Sequence, residues 1–264
     1  KHSGKLNTLL FRPSVIYGIS DKLNLMLSTH IGFRSMIWDQ KGNSIHHRSE
    51  STFQGFDNAN PSWLGDSKIV LRYLFKNDGM GDGLRFIYGG GISVPSNSVL
   101  TSDPFFLQGE EKSDHRHFSL SSGNYKYVIE TQLFFKQQEN PVFYGGFLTY
   151  EYPIQENKYN YLAPPLLNLS LSATFKRFDE RDSSLGYGLG ILQSGHGYWN
   201  GVKEPNSRSL SVSPTFSYLI NSRFGALSFN ISKPYFLKGA FNTNEGDIGQ
   251  GSNIWQFTVS LRKV

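Results

Sequence analysis

Leu185-Gly186-Tyr187-Gly188-Leu189-Gly190-Ile191 and, after a polar loop, Ser209-Leu210-Ser211-Val212-Ser213-Pro214-Thr215-Phe216-Ser217-Tyr218 decide how this chain is read. Both runs alternate residue by residue. Strand side chains point to opposite faces with period two, so each run is a strand with one apolar face and one face of glycine or hydroxyl side chains. The small face lacks the bulk to fill a sandwich core, while the other carries aromatics. A sheet apolar outside and small or wet inside is what a membrane-spanning barrel requires.

The same alternation recurs in both directions. Upstream, Leu9, Phe11, Pro13, Val15 and Tyr17 share a face, as do Leu23, Leu25, Leu27, Thr29, Ile31 and Phe33. Ile69 to Phe75, Phe86 to Val94, Tyr125 to Phe135, Tyr144 to Tyr152 and Leu167 to Phe175 follow, and downstream come Leu227 to Ile231 and Trp255 to Leu261. These make eleven strands. Their connections alternate between short (18–22, 76–83, 137–141, 178–184, 221–224) and long (39–65, 96–124, 155–164, 234–252), the pattern of short periplasmic turns and longer outer loops. Bacterial barrels have an even strand number, so we expect about twelve, one of them lying upstream of Lys1 or hidden near the start. Residues 1–264 are read as one antiparallel transmembrane β-barrel domain.

Soluble sandwiches and lipocalin-like barrels also alternate. Strands of about ten residues match a tilted membrane span better than the usual soluble strand of about five or six. Tyr17, Tyr73, Tyr125, Tyr127, Tyr150, Tyr152, Phe175, Tyr218 and Trp255 fall near the ends of apolar faces, where interfacial girdles belong.

Composition agrees. Aromatics make up 15% of the chain and glycines number 27, while mean hydropathy is −0.38. No run approaches the roughly 18 apolar residues of a spanning helix. Cysteine is absent, which excludes disulfides and thiolate chemistry. The net charge of +5 is dispersed, without the basic run that would point to nucleic acid. Lys1 opens the sequence without an initiator Met or a signal-peptide pattern, so a processed chain or a fragment is expected.

Tyr17-Gly18-Ile19-Ser20-Asp21-Lys22-Leu23-Asn24-Leu25 resembles the turn and second strand of Gram-negative outer-membrane barrels of the phenol-degradation meta-pathway transporter family. Gly65-Asp66, Gly90-Gly91-Ile92-Ser93-Val94-Pro95 and Leu120-Ser121-Ser122-Gly123 fall in similar order. The resemblance covers the first half of the chain best. It implies a barrel in the outer membrane and a transport role, and brings no catalytic residues. The terminal Arg262-Lys263-Val264 departs from the aromatic ending of many outer-membrane proteins.

With aromatic faces toward lipid, the opposite face lines a lumen. Its charged members are Arg12, Arg34, Lys68, Arg72, Arg85, Lys126, Glu130, Lys136, Glu151, Lys176 and Arg262, with His30 beside them. Basic walls favour anions. One reading is a narrow, porin-like passage for small anionic solutes. The other is that the inward charges pair and plug the barrel, Glu130 reaching Lys68 or Arg72. Gly186, Gly188 and Gly190 either admit an inward loop or ligand or, more plainly, relieve crowding where the wall curves.

Other chemistries have thinner support. A lipid hydrolase needs a serine, a histidine base and an orienting group. His47-Arg48-Ser49 with His115 and His117 is the nearest match, and His46, His47, His115 and His117 are a loose candidate for a metal. Gly186, Gly188 and Gly190 lie within a strand, not at the strand-to-helix turn of a phosphate cradle. No catalytic site, metal or cofactor is expected. Expected partners are outer-membrane lipid, small solutes and a protein docking on loops 39–65 and 96–124, with no nucleic acid.

Overall fold

The computed structural model describes residues 4–38, 49–79, 81–107, 115–176, 183–205, 207–239 and 253–263. No helix occurs among them. The strands are β1 (Gly4–Phe11), β2 (Ser14–Gly18), β3 (Leu23–Trp38), β4 (Glu50–Ser51), β5 (Leu64–Asn77), β6 (Gly83–Val94), β7 (Lys126–Lys136), β8 (Phe143–Pro153), β9 (Tyr161–Leu162), β10 (Leu166–Lys176), β11 (Ser183–Ser194), β12 (Tyr198–Trp199), β13 (Val202–Lys203), β14 (Ser209–Ser222), β15 (Gly225–Ser232), β16 (Tyr235–Lys238) and β17 (Gln256–Arg262).

One antiparallel sheet runs β1-β3-β5-β6-β7-β8-β10-β11-β14-β15-β17. β2 and β4 also pair with β3, and β16 with β14, which makes a 14-stranded sheet. β1 and β2 are one stave. Phe11 lies opposite Ile31 and Ser14 opposite Ser28, so the register passes unbroken through Arg12-Pro13. Proline has no N–H for the ladder, yet the Pro13 carbonyl still accepts from the Thr29 amide at 3.2 Å. β15 and β16 are likewise one stave interrupted at Lys233-Pro234.

The staves therefore number eleven, the count expected from the alternation. β1 and β17 stand at the two ends of the path, and no pairing joins them among the described residues. Three expected loops contain strands. The 39–65 loop holds β4 and the first residues of β5, 155–164 holds β9, and 234–252 begins with β16. The reason is backbone satisfaction: β3 and β14 overhang their neighbours, and their free N–H and C=O groups recruit Glu50–Ser51 and Tyr235–Lys238. The turn at 178–184 lies largely outside the described residues.

The two faces of the sheet are inverted relative to a soluble protein. Val70, Arg72, Val128, Glu130, Gln132, Thr149 and Glu151 are buried, whereas Ile69, Leu71, Tyr127, Ile129 and Leu133 are exposed. Val70 is 0% exposed and Phe257 is 74% exposed. No second layer covers the buried side among the described elements, so the sheet curls around it. Lys68 of β5 contacts Glu151 of β8. In a flat sheet these strands stand about 14 Å apart, three spacings of roughly 4.8 Å.

At the long-loop end, the connections are stitched together by buried polar side chains. The Arg116 guanidinium, fully buried, donates to the carbonyls of Phe118, Ser51, Gln54 and Asn60 at 2.8–3.1 Å. Asn58 exchanges two hydrogen bonds with the Arg116 backbone. Asn124 donates to Gln155 and Tyr161 and accepts from Ala163. β9, β12 and β13 form a small separate sheet in these loops.

Candidate functional site

The inner face is built row by row, because directly paired residues point to the same side. One row is Asn24, Arg72, Gly89, Glu130 and Thr149. The next is Met26, Val70, Gly91, Val128 and Glu151. Gly89 and Gly91 leave nothing above β6, so side chains of β5 and β7 meet over it. A Cβ on Gly89 would lie 3.1 Å from Arg72 Cγ, and one on Gly91 would lie 2.0 Å from the Ile69 carbonyl oxygen. Gly89 and Gly91 are therefore demanded by close approach.

Three acid–base pairs fill this sector. Arg72 donates to Glu130 from Nε at 2.7 Å and from Nη2 at 3.2 Å, and Nη2 also touches Met26 Sδ. Lys68 pairs with Glu151. Lys126 pairs with Asp66 at 3.5 Å. Asp66 is absent from the expected inward charges, although it shares the parity of Lys68 and Arg72 and is legible by extending the alternation one step.

The remaining inward charges occupy the ends. Arg12 donates to His30 at 2.6 Å, and Arg34 donates to the Ser119 carbonyl at 3.1 Å. Arg85 holds the β5–β6 turn through Asn77 and Gly79. Lys136, Lys176 and Arg262 are exposed at strand ends beside the short turns. Of the two readings of the inward charges, pairing accounts for Lys68, Arg72, Lys126, Glu130 and Glu151, and the remaining cations stand toward the strand ends.

From β10 to β15 the inner face changes character. Its rows read Phe147, Ser170, Gly190, Ser213, then Gly145, Ser172, Gly188, Thr215, Ser232, then Phe143, Thr174, Gly186, Ser217, Asn230. Ser170 and Ser172 are exposed. A Cβ on Gly188 or Gly190 would meet only strand neighbours within 4 Å. Among the described residues no inward loop seats on this strip. Aromatics also face inward beside it: Phe134, which shares the parity of Lys126 and Glu130, stacks on Phe143 with centroids 5.6 Å apart.

The loop histidines join one another. His117 Nδ1 lies 2.8 Å from Glu50 Oε1, and its Nε2 lies 3.1 Å from His115 Nε2. Ser49 is exposed. The hydrolase reading also needs His47 and Arg48, and the metal reading needs His46 and His47; all three lie outside the described residues.

The sheet, with apolar staves outside, paired charges inside and alternating short and long connections, has the fold of an outer-membrane channel. A solved outer membrane channel from Pseudomonas putida is similar to it: TM-score 0.59, 11% identity, covering 89% of this chain and 80% of the channel. No family model matches this chain, and no curated protein does.

Proposed function

We propose that this protein is a channel of the bacterial outer membrane for small solutes. The observation that carries the reading is the inverted sheet: apolar staves exposed and charged side chains buried and paired on the inner face. In the membrane the wall is completed as a barrel of about twelve strands, which satisfies the free edges of β1 and β17, since unpaired edges are not tolerated in lipid. The likeness to a channel fold supports this, and the motifs at 17–25 and 90–95 suggest kinship with the phenol-degradation transporter family.

Solutes pass along the hydroxyl and glycine sector of β10 to β15, because the acid–base pairs occupy the other half. The middle of this path carries no net charge, while Arg85, Lys136, Lys176 and Arg262 make its short-turn rim basic. The channel therefore prefers anions weakly, and loses that preference as salt screens the rim. Planar-bilayer recording tests this. We expect small conductance steps and a reversal potential of anion sign at low ionic strength. An absence of conductance removes the channel, and cation selectivity removes the basic rim as its cause.

A second reading follows from Phe53, Trp63 and Phe105, which are exposed on the outer loops. Exposed aromatics mark contacts, and a barrel plugged by its ion pairs would serve as a docking subunit. Co-purification of a stoichiometric partner from gently solubilised membranes, with no conductance, selects that reading. In neither reading is the protein an enzyme; phospholipase activity lost on Ser49→Ala would overturn both.

A further inference from the structure

Beneath the stitched loops lies a cavity of about 320 Å³, where Arg34 of β3, Asp66 of β5 and Lys126 of β7 meet residues 117–122, Tyr161 and Glu204. Its lining carries two cations, Arg34 and Lys126, and two carboxylates, Asp66 and Glu204. Lys126 and Asp66 neutralise each other at 3.5 Å. Glu204 accepts a hydrogen bond from the Tyr161 hydroxyl at 3.1 Å and makes no ion pair with Arg34.

Arg34 remains. Its guanidinium has the Ser119 carbonyl as a partner and no carboxylate within ion-pair distance among the described residues. A guanidinium carries five N–H donors; Arg34 is half-buried, and the donors that Ser119 does not take are left open to the cavity. Leu100, Phe118 and Leu120 add apolar wall.

We propose that this vestibule binds a small organic carboxylate, whose anionic end pairs with the Arg34 guanidinium and whose carbon body rests on Leu100, Phe118 and Leu120. The inference rests on the channel reading, for which the vestibule is the outer recognition site. The cavity lies at the small end of the roughly 300–1,000 Å³ range of ligand pockets, so it selects solutes of one ring or a short chain. Arg34 supplies the fork geometry that a carboxylate matches with two parallel hydrogen bonds.

The test uses the full chain in detergent, with benzoate as the probe and benzyl alcohol as its uncharged counterpart. Calorimetry is expected to show saturable benzoate binding and none of benzyl alcohol. Arg34→Gln weakens benzoate by about tenfold or more, and Arg34→Lys by less, because the charge stays while the fork is lost. Heat-modifiable migration checks that each variant is folded. Should Arg34→Gln fail that check, Phe118→Glu, which sets an acid in the cavity wall, is expected to abolish binding. No benzoate binding, equal binding of benzyl alcohol, or affinity unchanged in Arg34→Gln or in Phe118→Glu overturns the site. A chain that conducts without binding benzoate loses the vestibule and keeps the channel; one that binds without conducting keeps the carboxylate pocket and loses the channel.

Discussion

Arg72 of β5 and Glu130 of β7 form a two-pronged ion pair directly over Gly89 of the strand between them, Nε to Oε2 at 2.7 Å. Both side chains are nearly buried, at 11% and 5% exposure. Removing one partner strands a buried charge, which costs about 3–5 kcal/mol, whereas replacing both with apolar groups costs far less. Glu130→Ala is therefore expected to lower the unfolding free energy by that amount, and Arg72→Met with Glu130→Leu to recover most of it. Urea unfolding in detergent, followed by heat-modifiable migration, measures both.

The three consecutive glycines on β6 separate cleanly. Gly90 faces outward and a Cβ there meets nothing within 4 Å, while a Cβ on Gly91 would overlap the Ile69 carbonyl. Gly90→Ala is expected to change stability by less than about 0.5 kcal/mol. Gly91→Ala forces β5 and β6 apart and costs about 1–3 kcal/mol. Equal midpoints for the two variants would disprove the close approach.

The two sectors of the inner face predict opposite reactivity. The chain has no cysteine, so introduced thiols report without background. Ser172→Cys, on the exposed hydroxyl sector, is expected to react quickly with a charged thiosulfonate reagent and to reduce conductance. Val128→Cys, buried beside Val70 and Met26, is expected to resist the reagent. Reversed rates would move the path to the charge-paired half.

Glu204 makes the loop cap sensitive to pH. Burial raises its pKa first, and nearby Asp103 adds to this, while the Tyr161 hydrogen bond opposes. Lys203, Arg208, Lys238 and His196 line the pocket on its other side. A carboxyl whose folded pKa is raised contributes stability that is complete below its unfolded pKa and is lost as pH rises through the folded value. The hydrogen-exchange protection factors of residues 195–205 are expected to fall over that rise in wild type and to stay level in Glu204→Gln.

Arg116 locks the outer loops. Burial lowers its pKa to about 10, with Glu50 opposing the shift, so it stays charged at neutral pH and holds four carbonyls. Arg116→Met leaves those acceptors unmet, at about 1–3 kcal/mol each if they remain buried. Limited proteolysis within 49–63 is expected to speed up sharply while the strands stay intact.

The order of strands, their outward faces and the alternation of short and long connections were legible in the sequence, because period-two patterning is a local property of the backbone. Phe11, Pro13 and Val15 already belonged to one stave, and Lys68, Arg72 and Glu130 to the inner face. Which charges pair was decided by curvature. Lys68 reaches Glu151 across three strand spacings only because the sheet curls, and Glu130 takes Arg72 rather than Lys68 because only Gly89 lies between Arg72 and Glu130 in register. The vestibule was not legible at all. Tyr161, Trp199 and Glu204 come from connections whose residues follow no period, and they meet Arg34 only where loops fold over the end of the wall to satisfy their own buried backbone groups.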